Sequence, residues 1–191
     1  MPRLDPRAPL VLDTRDLRRQ AGSMLTVDRT VQAPEDLGTD IVAVPAGSPM
    51  DLAVRLESVT EGVLVSGSVS ATASGACVRC LDLVILPLAV TFQELFAYAE
   101  RAAHHREVDV EADEADEYVL VDDLVDLEPV LRDTVVPALP FQPVCRADCP
   151  GLCPDCGVRL ADDPAHRHDV IDPRWAALQD LATGPTEEKR T

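Results

Sequence analysis

Four of the six cysteines stand within CRADCPGLCPDCG, Cys145 to Gly157. A segment this short has little core of its own, so what holds it must be chemical as well as hydrophobic. Cys153 and Cys156 flank two residues, and Gly157 follows them; that spacing lets the backbone curl until both sulfurs face one tetrahedral ion. Cys145 and Cys149 add a second pair with three residues between them, and His166 and His168 lie just downstream. Six donors therefore compete for four positions. The compact spacing ranks Cys145, Cys149, Cys153 and Cys156 first, with His166 and His168 as alternative ligands for one or both of Cys145 and Cys149.

A disulfide cluster is the competing use of such cysteines, and compartment decides between them. The opening residues, MPRLDPRAPLVLDTRDL, hold no apolar run of signal-peptide length, and no segment is long and apolar enough to span a membrane. The expectation is a cytoplasmic chain with reduced thiols and a structural zinc ion. Four protein ligands would leave no open position for catalysis.

Composition narrows the rest. The 191 residues are 46% hydrophobic but only 3% aromatic, so the core must be aliphatic and a base-stacking platform lacks its material. The net charge is -17, and every charged residue from Glu107 to Glu128 is acidic. Such a block repels phosphate and attracts basic protein surfaces, which limits direct RNA contact; as a solvated linker it needs no partner at all. Arg15, Arg18 and Arg19 form the main basic cluster, read as surface charge.

Apolar alternation organises the N-terminal half. A short helix is expected at Thr14 to Gln20, then strands at Met24 to Val31 and Ile41 to Val44. Asp51 to Ala73 reads as two strands joined at Glu61 and Gly62, with Leu52, Val54 and Leu56, and Val63, Val65 and, after a break at Gly67, Val69 on one face of an antiparallel sheet. LVILPLAVTFQELF follows as a further strand, which Pro87 restricts to an edge or a bulge. Between these strands stands CVRC, Cys77 to Cys80. With no helix after it, it does not fit a thioredoxin-like redox pair; it reads as a second metal half-site, if its thiols join Cys153 and Cys156 across the fold, or as a packed reduced pair. EYVLVDD reads as a short strand, and a helix starts near Asp126, carries Leu127, Val130, Leu131 and Val135 on one face, and stops near Pro137. IDPRWAALQDL supplies a last short helix.

The expected fold class is α+β: an antiparallel β meander or partly closed barrel with a few short helices and a C-terminal zinc-knuckle segment. The expected divisions are a mainly β domain over 1–99, an acidic flexible linker over 100–117, a strand and helix packed on the sheet over 118–139, a cysteine-rich segment with a terminal helix over 140–183, and a disordered tail over 184–191.

CVRCLD at Cys77 to Asp82, CRADCPGLCPDCG at Cys145 to Gly157 and IDPRWAALQDL at Ile171 to Leu181, with the strands between, make the chain similar to the YceD family, the large ribosomal RNA subunit accumulation proteins. The resemblance implies a non-catalytic role in accumulation or processing of large-subunit ribosomal RNA. It departs from many relatives in one place: His166, Arg167 and His168 stand where those carry a CxC pair, and imidazole is an equally good zinc ligand. Other relatives keep CxRC without the C-terminal cysteines.

Joined to the charge argument, the resemblance implies a partner on the precursor of the large ribosomal subunit, a basic ribosomal protein engaged by Glu111, Asp113, Glu114, Asp116 and Glu117. Two rivals stand beside it. A zinc-dependent protein-interaction module unrelated to ribosomes needs only the cysteines, whereas a ribosomal RNA processing hydrolase needs a rigid acid-base arrangement that His104 and His105, beside the acidic run, do not supply. Oligomeric state is not readable from these features.

Overall fold

The computed structural model describes residues 4–102, 118–168 and 174. Its frame is antiparallel: β1 Val11–Asp13, β2 Met24–Gln32, β3 Val42–Ala43, β4 Pro49–Ser58, β5 Gly62–Ala76, β6 Leu83–Ala97 and β7 Leu124–Asp126 precede a helix at Glu128–Ala138. β5 is the central strand of a five-stranded sheet. β6 runs along one side of it for its full length, from Gly62 opposite Ala97 to Ala76 opposite Leu83. On the other side β4 covers residues 63–70 and β3 covers Ser74 and Gly75, with β2 outside β4. The sheet is open, not closed into a barrel.

Strict alternation buries one face of this sheet. Met50, Leu52, Val54 and Leu56 of β4, Val63, Val65, Val69 and Ala73 of β5, and Val84, Phe92 and Phe96 of β6 are all buried. A second layer closes over them: β1 pairs with β7, and the helix packs on β6, contributing Val130, Leu131 and Val135 beside Leu10, Leu12, Val125 and Leu127. Each fully buried aliphatic side chain of this kind contributes about 1.5–3 kcal/mol.

Gly67 does not interrupt β5. It stands directly opposite Phe92, and a side chain at Gly67 would meet the Ala53 carbonyl oxygen at 2.7 Å and the Phe92 ring at 2.9 Å. The missing side chain makes room for that ring. Pro87 lies opposite Thr72 in an unbroken register, tolerated because β6 is an outer strand there.

Two short elements differ from expectation. Thr14 to Gln20 is a succession of turns rather than a helix, because Thr14 is tied to the Asp123 carbonyl through both its amide, at 2.9 Å, and its hydroxyl, at 2.8 Å. EYVLVDD is broken: Val119 bridges Ala97, Val121 bridges Leu124, and Asp122 and Asp123, both at positive φ, reverse the chain into β7. Paired left-handed residues are what a tight two-residue hairpin demands. The helix begins after Leu127, with the Asp126 carboxylate accepting the Glu128 amide at 3.0 Å. The expected terminal helix, apart from Arg174, and the tail lie outside the described residues.

Candidate metal centres

Both C-x2-C sequences fold into the same knuckle. In CVRCLD, which links β5 to β6, the Cys77 amide donates to the Asp82 carbonyl at 2.7 Å and the Leu81 amide to the Cys77 carbonyl at 2.9 Å; Leu81 has φ 62. In CPDCGV, the Cys153 amide donates to the Val158 carbonyl at 2.8 Å and the Gly157 amide to the Cys153 carbonyl at 2.9 Å; Gly157 has φ 73. Residue for residue, the scheme repeats. Glycine takes the left-handed position without strain, whereas Leu81 adopts it against its side chain.

Each knuckle gathers two further donors. The Sγ atoms of Cys77, Cys80, Cys145 and Cys149 all lie within 4.8 Å of one another, and so do the ligand atoms of Cys153, Cys156, His166 and His168. The C-terminal cysteines thus divide: Cys145 and Cys149 join Cys77 and Cys80 of the sheet, while Cys153 and Cys156 join the two histidines. In the first group Cys77 and Cys149 are 3.9 Å apart and Cys80 and Cys145 3.6 Å. A tetrahedron with metal–sulfur bonds of about 2.3 Å has edges of about 3.8 Å, so the thiols already stand at ligand spacing. In the second group Cys156 Sγ lies 3.2 Å from His166 Nε2 and 3.1 Å from His168 Nε2, and the two Nε2 atoms are 2.7 Å apart. Two imidazole nitrogens turned on one thiolate suit a shared cation, and the Asp163 carboxylate, 3.9 Å from His166 Nδ1, stands on the ring's far side.

The ionisation of the thiols follows from this crowding. Burial opposes charge on Cys77, but the amides of Cys145, Cys80 and Arg79 point at its sulfur and hold its pKa down to about 6. Cys80 is pushed up to about 12 by burial and by the neighbouring thiols of Cys77, Cys145 and Cys149. Cys145 is raised chiefly by Cys149, and Cys153 is lowered chiefly by the amides of Cys156 and Asp155. Amides favour the thiolates of Cys77 and Cys153, whereas neighbouring sulfurs oppose ionisation of Cys80 and Cys145; a divalent cation would offset that opposition.

The residues around the first group bind the C-terminal segment to the sheet. Arg79, within CVRC, donates to the carbonyls of Ala147 at 3.2 Å and Cys149 at 3.0 Å, and its own carbonyl accepts the Leu152 amide at 3.1 Å. The Val78 amide donates to the Pro143 carbonyl at 2.9 Å, and Arg159 pairs with Asp82. Gly151 passes at φ 81 so close that a side chain there would lie 3.0 Å from the Arg79 carbonyl oxygen. Sequence reasoning singled out neither Arg79 nor the Asp82–Arg159 pair; the arginine between two cysteines was the available signal.

Among the other residues singled out, Arg15 pairs with Asp13 at 3.2 Å, and Arg19 pairs with Asp123 at 2.8 Å while lying over the Tyr98 ring. The hydrogen bond that Arg19 donates to the Asp123 carboxylate, reinforced by the carboxylate's charge, raises the Arg19 pKa. These arginines brace the β1–β7 ribbon. Glu111, Asp113, Glu114, Asp116, Glu117, His104 and His105 lie outside the described residues. No helix among the described residues is long and apolar enough to cross a membrane.

Comparison with known proteins bears on what such a scaffold does. A family model described as large ribosomal RNA subunit accumulation protein YceD matches residues 65–182, which include both knuckles. An uncharacterized protein of Mycobacterium tuberculosis is 45% identical over 181 residues, covering 95% of this chain and 84% of its own. An uncharacterized protein of Mycobacterium leprae is 42% identical over 174 residues, covering 91% and 78%. No solved structure matches the chain.

Proposed function

The chain belongs to the YceD family of large ribosomal RNA subunit accumulation proteins, and from that premise we propose that it is a non-catalytic assembly factor of the large ribosomal subunit with a structural zinc centre. The family match carries the reading. Zinc is the metal that suits both donor sets, thiolate with thiolate and thiolate with imidazole, in tetrahedral arrangement. Each set supplies four protein ligands, which leaves no coordination position for substrate or water and supports a structural over a catalytic role.

Binding proceeds through protein contacts. The acidic run ending at Glu117 engages a basic ribosomal protein on the precursor and takes the place that RNA occupies later, while direct contact of this acidic chain with RNA is limited. The protein works where ribosomes are assembled, in the cytoplasm.

Sucrose-gradient fractionation tests this. The protein is expected with immature large subunits, and cells lacking it should accumulate less large-subunit ribosomal RNA; distribution only through ribosome-free fractions would refute the role. Deleting Val108 to Asp116 should weaken that association and make what remains less sensitive to salt, because screened charge pairs would be lost. Unchanged binding and an unchanged salt slope would remove the acidic run from the interface.

A further inference from the structure

We propose that the chain holds two zinc ions of unequal exchangeability: an inner one on Cys77, Cys80, Cys145 and Cys149, and an outer one on Cys153, Cys156, His166 and His168. This rests on the reading that the thiols hold zinc, and it deepens it by assigning two ligand sets, each with its own task.

Three observations carry the division. The two knuckles share one hydrogen-bond scheme, with a left-handed residue at the same step, so each C-x2-C presents its pair of sulfurs in the same way. Each pair is completed by two donors of its own, within 4.8 Å, and no donor is shared between the groups. The surroundings also differ. In the first group Cys77 is fully buried and Cys149 is 5% exposed, packed with Val84 in a small apolar cluster, and only Cys145 is exposed; in the second only Cys153 is buried, and Cys156 and His168 are both exposed.

Zinc exchange with a chelator proceeds through an incoming ligand that must reach the ion before a protein ligand leaves. The outer group offers that approach from the side of Cys156 and His168. Approach to the inner group is narrowed to the side of Cys145 by the buried Cys77 and Cys149 and by the segment that Arg79 holds in place.

The two ions close different loops. The inner one joins residues 72 apart, Cys77 with Cys149, and so fastens the C-terminal segment to the β5–β6 connection; the outer one joins Cys156 with His168, 12 residues on. Losing the outer ion frees only residues 153–168, and the inner ion keeps the preceding segment on the sheet.

Native mass spectrometry of the full chain, with stepwise removal of metal by a chelator, tests the assignment. Two zinc ions are expected, leaving in two separable phases. The double variant His166→Ala with His168→Ala, both outside the hydrophobic core, should retain one ion, the slow one. Cobalt(II) in wild type should show two sets of d–d bands, and the double variant should keep only the lower-energy set of an all-thiolate site, since imidazole is the stronger-field ligand. A wild type with one zinc leaves the zinc reading standing and overturns the two-site assignment. A wild type with none and six free thiols overturns both. Two ions leaving in a single phase, or a double variant that keeps both, refutes the unequal division.

Discussion

Arg79 shows how one residue joins two distant parts of this chain. Its guanidinium reaches the carbonyls of Ala147 and Cys149, and its carbonyl takes the Leu152 amide. Hydrogen bonds from a charged donor to backbone, partly exposed as here, are worth on the order of 1 to 2 kcal/mol together. Arg79→Ala is therefore expected to loosen the C-terminal segment by about that amount, read as faster amide exchange over residues 143–152 with exchange in β4 unchanged. Arg79→Lys should restore part of the protection, because both bonds leave a single nitrogen, Nη1, and an ammonium also carries more than one N–H donor. Unaltered exchange in that stretch would mean that the cysteines alone hold the segment.

At the scale of elements, the β5–β6 pair is the spine of the molecule, and one tight step in it is Gly67 against Phe92. A side chain placed there must displace either the Ala53 carbonyl or the aromatic ring. Gly67→Val should cost about 1–3 kcal/mol by overpacking, seen as a lower denaturation midpoint with an unchanged slope. A midpoint equal to wild type would show that Phe92 can swing aside at no cost. The strand pattern was legible because alternation records burial directly: Leu52, Val54 and Leu56 were assigned to one face and are all buried. The β1–β7 ribbon was not, because three-residue strands carry too few alternations to stand out, and the Asp122–Asp123 reversal looked like the end of a strand rather than the middle of a hairpin.

For the whole molecule, the question is whether the core and the metal centres form one cooperative unit. The principal core, from Leu10 to Leu139, contains no cysteine; Cys77, Val84 and Cys149 make a separate small cluster. Zinc binding in comparable small sites is worth on the order of 10 kcal/mol at neutral pH, more than this small cluster supplies by itself. Chelation is therefore expected to release residues 143–168 while amides of β4, β5 and β6 stay protected. Loss of protection in both regions at the same chelator concentration would establish a single unit. Cys153→Ser and Cys156→Ser should each disturb residues 153–168 without lowering protection in the sheet.

By itself the sequence determined what is local: two C-x2-C turns able to present paired thiolates, an alternation that buries one face of each long strand, and a charge balance hostile to a broad RNA grip. Such features depend on residues within a few positions of one another, where backbone geometry permits few outcomes. Which pairs of donors meet was decided only in the tertiary structure. Spacing ranked Cys145 and Cys149 with Cys153 and Cys156, their nearest neighbours in the chain, yet they stand instead beside Cys77 and Cys80. The reason lies outside the motif. The pairing of β5 with β6 places CVRC at one end of the sheet, and Arg79 and Asp82 draw the returning segment onto it through contacts that no local spacing encodes.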